Sequence, residues 1–388
     1  MQRVLEGIRV ADFSHVMAGP YATHLLRLLG AEVIKVEAPG RGDAMRYYGA
    51  DRRYDGMAPA FIGVNAGKKS IVLNLKQDRD LETAHELIRR CDVLVENFRP
   101  GVMARLGLDY ENSKELNPDL IYCSISGYGQ SGPRRDWPAI DNIVQATSGM
   151  MSLGGDPDGS PLRVGFPAVD TLTGQTAAFA ILGSLFRRQR TGGGEYLDVA
   201  MFDATMAFMS SAVVPYLVTG QALERTGNTG YSGQPTSAVF TARDGHYLSL
   251  GVVQQSQFEL LARVLEQRQW LEDARFADPD ARRTNASAMQ EALSAVLRTR
   301  DAEDWEALLS EAGIPCGMVR DIHEAMSLPE LDARSLTVPM RIAGLPEREQ
   351  VSVLDLGVRG SSDVDADLPP PPRLGEHTEE IRAWLDQS

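Results

Sequence analysis

Short apolar runs alternate with amphipathic stretches through the N-terminal half of the chain. Residues 8–13 read as a buried strand, 21–29 as a helix with Pro20 suited to its first turn and Gly30 to its end, and 32–36 as the next strand. The rhythm continues with a strand over 70–75, a helix over about 80–90, and strands over 93–95 and 120–125. Strands separated by helical periods predict a mostly parallel sheet with helices on both faces, a doubly wound α/β fold. A strand over 196–199 and an apolar helix from Met201 to about Leu217 close this region, and the Gly/Thr-rich stretch 226–233 reads as a linker. A second unit follows without the earlier rhythm. It has strands over 238–242 and 247–251 and helices over 257–266, 286–297 and 302–312, an α+β mixture. After Leu336 the chain is expected to return to the first domain. Pro369 to Pro372 form an extended strap before a terminal helix ending near Trp384. The expected boundaries are therefore 1–225, 226–335 and 336–388.

Composition narrows the function classes. Of 388 residues 43% are hydrophobic and 24% charged, as in ordinary soluble proteins, and no apolar run approaches the roughly 18 residues of a membrane helix. The stretch Met1-Gln2-Arg3-Val4-Leu5-Glu6-Gly7 has no apolar segment after its basic residue, so a cytoplasmic protein is expected. Cys91, Cys123 and Cys316 are far apart and form no C-x-x-C pair, which points to three buried thiols rather than a disulfide framework or a zinc site. A net charge of −14 argues against nucleic-acid binding, because that binding needs Lys and Arg to neutralise phosphates. Any phosphate site is then local, with Arg41 and Arg46, Lys68 and Lys69, or Arg99 and Arg105 as candidates.

Several motif matches fail on context. Gly127-Tyr128-Gly129-Gln130-Ser131-Gly132 fits G-x-G-x-x-G, but the helix that should meet a pyrophosphate is replaced by a stretch with Pro133 and Pro138 at its ends. Gly154-Gly155-Asp156-Pro157-Asp158-Gly159 lacks the alternating ligands and terminal Glu of a calcium loop. The chain has no H-x-x-x-H pair and no G-x-S-x-G, so zinc and serine hydrolase readings have no support. Asp170 remains. It opens a small-residue helical pattern running to Arg188, where a carboxylate serves either as an N-cap or, if held ionised, as a nucleophile.

The longest consecutive signals are Asp12-Phe13-Ser14-His15-Val16-Met17-Ala18-Gly19-Pro20 and Leu29-Gly30-Ala31-Glu32-Val33-Ile34-Lys35-Val36-Glu37. Further on come Asn65-Ala66-Gly67-Lys68-Lys69-Ser70 and Asp92-Val93-Leu94-Val95-Glu96-Asn97-Phe98-Arg99-Pro100-Gly101. Phe166-Pro167-Ala168-Val169-Asp170-Thr171 and Leu374-Gly375-Glu376-His377-Thr378 follow in order. Together they resemble the family III CoA-transferases, the CaiB/BaiF group, over essentially the whole chain.

The resemblance implies that Asp170 is the nucleophile. It would attack a donor acyl-CoA to give a mixed anhydride, then become a β-aspartyl-CoA thioester that an acceptor carboxylate resolves. It places CoA against His15, Val16, Met17 and Ala18, against Leu73, Asn74, Leu75 and Lys76, and against Asn97, Phe98, Arg99 and Arg105. It further implies CoA and acyl-CoA as substrates with no tightly bound cofactor, a small carboxylic acid as the other substrate, and a Rossmann-like large domain. Two chains would be threaded through each other as an interlocked, ring-like homodimer. At a helix start the macrodipole would lower the Asp170 pKa, and free N–H groups would stabilise an oxyanion. Ala38-Pro39 stands where formyl-CoA transferases carry basic residues, and the sparse glycines of 227–233 replace their tetraglycine loop, pointing away from an oxalate specialist. Ala139-Ile140-Asp141 lacks the histidine of the related α-methylacyl-CoA racemases, which keeps a racemase as the alternative. A non-catalytic CoA-binding protein is a third reading. A short dicarboxylyl donor such as succinyl-CoA is the expected substrate, with Arg163 as the partner of its free carboxylate.

Overall fold

In the computed structural model, which describes residues 3–49, 51–230, 232–361 and 368–387, six strands form one sheet. They are β1 Arg9–Asp12, β2 Glu32–Glu37, β3 Lys69–Val72, β4 Val93–Glu96, β5 Ile121–Ser126 and β6 Glu195–Ala200. Every neighbouring pair is parallel, and the order across the sheet is β3-β2-β1-β4-β5-β6. Alternate side chains go to opposite layers, as strand geometry requires. Val10, Val33, Val93, Val95 and Ile121 pack with Ala22 and Leu26 of helix Ala18–Leu28 and with Ala177, Ile181 and Leu185 of helix Ala168–Thr191. Ala11, Ile34, Leu94 and Tyr122 pack instead with Leu87 and Ile88 of helix Asp78–Arg90 and with Ile381 and Leu385 of helix Thr378–Leu385. Burial on both faces is why the central strands read as continuous apolar runs.

The order of strands reverses between β1 and β4. Connections leaving their carboxyl ends therefore part to opposite halves of the sheet and leave a crevice there. The last residues of the chain close the β3 side: His377 N–H donates to the Ser70 carbonyl at 3.0 Å, and Gly375 N–H to Ser70 Oγ at 2.9 Å.

The chain forms two compact units. One takes residues up to 150, 163–219 and 329 onward; the other takes 151–162 with 220–328. The periodicity groups 151–162 with the N-terminal part, but Arg225 donates to the Gly159 carbonyl at 2.7 Å and Gly227 sits against Asp156, which ties this segment to the second unit. That unit has an antiparallel sheet of β7 Ser237–Thr241, β8 Tyr247–Gly251 and β9 Cys316–Met318 over a core including Phe258, Leu261, Leu293 and Trp305.

Two expectations are corrected. Cys316 is only partly buried, because it lies on the short strand β9 rather than in the core. The apolar stretch from Met201 is not one helix but two, Met201–Phe208 and Ser210–Thr219, bent by 78°. Among the described residues no single helix is long and apolar enough to cross a membrane. The first unit also holds a hairpin, β10 Thr337–Arg341 and β11 Gln350–Leu354, which the sequence reading did not assign.

Candidate active site

The crevice at β1 and β4 is built from buried charge. Val16 has φ = 66°, a left-handed conformation costly for a β-branched residue. It is held by Asp43, whose carboxylate accepts the Val16 N–H at 3.0 and 3.2 Å. Lys35, fully buried, pairs with Asp43 at 2.9 Å and donates to the Ser14 carbonyl at 2.8 Å. Asp12 accepts from Lys68 at 3.0 Å and Thr23 Oγ1 at 2.7 Å. Burial alone would raise the Asp12 carboxyl, but Lys68 and Lys35 outweigh it and hold the group ionised. Such pairs fix geometry more than they stabilise, and here they hold the turn 14–17 rigid before a helix N-terminus.

Those pairings correct the phosphate candidates. Lys68 is used by Asp12, Thr23 and the Pro20 carbonyl. Arg46 is buried and bidentate to Glu37 at 2.8 and 2.6 Å. Lys69 bridges Glu32 and Glu380, both at 2.7 Å. Arg41, Arg99, Arg105 and Lys76 are not buried in this way.

The two loops of the crevice clamp each other. Asn97 Oδ1 accepts the His15 N–H at 2.9 Å, and its amide donates to the His15 carbonyl at 2.7 Å. The Phe98 and His15 rings are 5.1 Å apart, and burial lowers the His15 pKa. Sequence reasoning singled out both stretches, and the parallel β1–β4 pair brings them together. Leu73, Asn74, Leu75 and Lys76 leave the carboxyl end of β3 on the same sheet edge, although Leu73 itself is a core side chain. Arg105 ends the short helix Val102–Arg105 beyond Arg99.

A cleft of about 290 Å³ lies at the carboxyl ends of β4 and β5, lined by Glu96, Arg99, Tyr110, Ser124 and Tyr196 among others. Burial pushes the Glu96 carboxyl up to about 7, although it accepts from Ser124 and from the Phe98 N–H at 2.8 Å. Sequence reasoning gave Glu96 no role beyond its place in the stretch Asp92 to Gly101.

Asp170 reaches this edge on a 24-residue helix, Ala168–Thr191. Near its far end Arg188 bonds Asp92 at 2.7 Å, just before β4, so the helix runs antiparallel to the strands and starts at their carboxyl edge. Gly174 lets it cross helix Ala18–Leu28 closely, since a Cβ there would lie 2.7 Å from the Ala18 carbonyl oxygen. Asp170 is one turn before that crossing.

The helix start differs from expectation. Asp170 is the third helical residue, not the cap, and the N–H groups of Val169 and Asp170 both donate to Asp141 Oδ2, at 2.7 and 3.1 Å. They are committed to a carboxylate and are not an open oxyanion site. Nor is the Asp170 pKa lowered: burial, with the Asp141 charge adding, pushes it up to about 7. Asp141 was read only within the stretch Ala139-Ile140-Asp141, for the histidine that stretch lacks. Arg163 is exposed on the run leading into the Asp170 helix.

A rigid turn beside a helix N-terminus, a clamped second loop and a partly buried carboxylate thus lie on one sheet edge. The chain belongs to CoA-transferase family III, whose profile residues 5–378 match. It is 42% identical to the acetyl-CoA:oxalate CoA-transferase of Acetobacter aceti over 335 residues, 86% of this chain and 85% of that one. It is 36% identical to the succinyl-CoA:glutarate CoA-transferase of Mus musculus over 377 residues, 97% and 85% of the two chains. A CAIB/BAIF family protein from Brucella suis has the same fold, with a TM-score of 0.88 at 32% identity over 100% of both chains.

Proposed function

We propose that this transferase moves CoA from a short dicarboxylyl-CoA to a carboxylic acid through covalent intermediates on Asp170. The carriage of that carboxylate to the CoA edge by a close helix crossing at Gly174 is the observation that supports the reading most. Asp170 oxygen attacks the thioester carbon, the C–S bond breaks, and CoA thiolate leaves with the negative charge. The thiolate then attacks the aspartyl carbonyl and expels the donor acid as its carboxylate. The β-aspartyl-CoA thioester that remains passes CoA to the acceptor by the reverse order of steps. On this reading His15 to Ala18, Leu73 to Lys76, and Asn97 to Arg99 with Arg105 hold the CoA, and binding energy far from the thioester aligns the reacting carbon.

The strand reversal supports a Rossmann-like large domain with CoA at the switch point. Relatives named for oxalate and for succinyl-CoA with glutarate support a short dicarboxylate substrate class. Oxalate belongs in the acceptor set despite Ala38-Pro39, because the 42% identical relative is named for it. An exposed apolar surface on Phe179, Phe186, Phe208, Leu217 and Val218 supports a homodimer.

The test is to incubate the protein and Asp170→Asn with a panel of acyl-CoAs and to map adducts by peptide mass. A hydroxylamine-sensitive adduct on the Asp170 peptide, absent from the variant, is expected. CoA binding without any adduct would sink the reading, and α-proton exchange in deuterated water would then point to a racemase. In the same panel Arg163→Ala is expected to erase the preference for dicarboxylic over monocarboxylic acids; if the preference survives, Arg163 is not the carboxylate partner.

A further inference from the structure

We propose that Asp141 is a positioning residue for Asp170: its carboxylate anchors the first turn of the nucleophile's helix and sets a like charge beside it that is relieved whenever Asp170 is acylated. The inference rests on Asp170 being the nucleophile.

The anchoring is geometric. Asp141 Oδ2 accepts the N–H groups of Val169 and Asp170, while Oδ1 accepts from the Gln145 amide at 2.6 Å. Gln145 is buried, and its own Oε1 accepts the Val164 N–H at 2.9 Å. The short helix Asp141–Thr147 thereby ties down both the helix start and the chain leading to it. An Asp in this place is unusual in kind. Helix first turns are commonly capped from within, by a residue at the cap position, which here is Pro167 with no side chain to offer.

Asn or Ser would also accept two N–H bonds, so the charge must be explained separately. Among the described residues, Asp141 is the charge that raises the Asp170 carboxyl beyond burial. The helices packed against the Asp170 helix also carry Tyr21, His24, Arg27 and Asp203. His15, in the loop beside it, answers to Asp43, Lys35 and Asp12 instead. A carboxylate on the adjoining first turn disfavours ionisation of Asp170. Attack on a thioester turns the Asp170 carboxylate into a neutral acyl group and moves the charge onto the CoA sulfur. The repulsion is thus present before attack and absent in both the anhydride and the aspartyl thioester. A more basic carboxylate is also the better nucleophile once ionised. Burial and Asp141 together keep Asp170 titrating near 7, with burial the larger cause.

Asp141→Asn and Asp141→Glu separate the two roles. The rate of adduct formation with a reactive acyl-CoA is measured against pH. Alongside it, the stability change caused by Asp170→Asn is measured against pH in each background. The second readout follows Asp170 ionisation without turnover. In Asp141→Asn both curves are expected to move to lower pH by about one unit, with a slower plateau, whereas Asp141→Glu restores the original midpoint. Curves that stay in place in Asp141→Asn would overturn the charge coupling while leaving Asp170 as nucleophile. A stability shift without any adduct in the unmodified protein would instead overturn the nucleophile assignment, and the catalytic half of this inference with it.

Discussion

A carboxylate held near 7 by burial and by Asp141 carries a stability cost that varies with pH. The folded state binds the Asp170 proton more tightly than the unfolded chain, so stability falls as pH rises from about 4 towards 7 and the full cost is present above it. Asp170→Asn removes the charge. The variant is expected to lose adduct formation and yet to gain ~2–3 kcal/mol of stability at pH 8, a figure reduced for the partial exposure of the side chain, with the gain fading towards pH 4. Urea titrations at pH 5 and pH 8 check this; equal gains at both would show that Asp170 is not strained by ionisation. Asp170 was legible because its neighbours in sequence are so specific. Asp141 was not, because it acts on N–H groups 28 and 29 positions later, a relation that only the packing of two helix starts creates.

At the scale of elements, the crossing at Gly174 sets where Asp170 sits. Alanine in place of glycine inside a helix ordinarily gains up to ~1 kcal/mol. At 174 the added Cβ would meet a backbone oxygen at 2.7 Å and the Tyr21 ring at 2.9 Å, and backbone cannot swing aside. Overpacking of that kind costs ~1–3 kcal/mol, so Gly174→Ala is expected to destabilise and to weaken acyl-CoA binding. Gly183 lies on the same helix with nothing within 4 Å, so Gly183→Ala should stabilise slightly. Denaturation of the two variants side by side decides the matter: a stabilised Gly174→Ala would remove the crossing as the positioning device. The parallel strands were readable because both their faces are buried, whereas the hairpin β10–β11 was missed because its strands are only five residues long and one carries Pro339.

For the whole molecule, periodicity gave the strands but not their order. The reversal between β1 and β4 depends on which crossover goes to which side, and no local pattern records it. The same holds for assembly. Phe179 and Phe186 are 79% and 62% exposed on the helix that carries Asp170, where a monomer in water would be expected to show polar residues. Sedimentation is expected to give a species of twice the 42.4 kDa chain mass, and glutamate at both positions to weaken it. A monomer at micromolar concentration would remove the dimer from the account.

The docking of the chain's end against β3 also constrains how the protein is made. Ser70 receives bonds from Gly375 and His377, partners 305 and 307 residues apart, and Ile381 and Leu385 complete one face of the sheet. During synthesis the part of this face under Ile381 and Leu385 stays open until helix Thr378–Leu385 has been made, while most of the second unit, formed by the continuous stretch 220–328, is already available to fold. Closing the sheet is a long-range step and therefore slow. Until helix Thr378–Leu385 is made, the apolar patch that Ile381 and Leu385 cover beside helix Asp78–Arg90 has no partner in the growing chain.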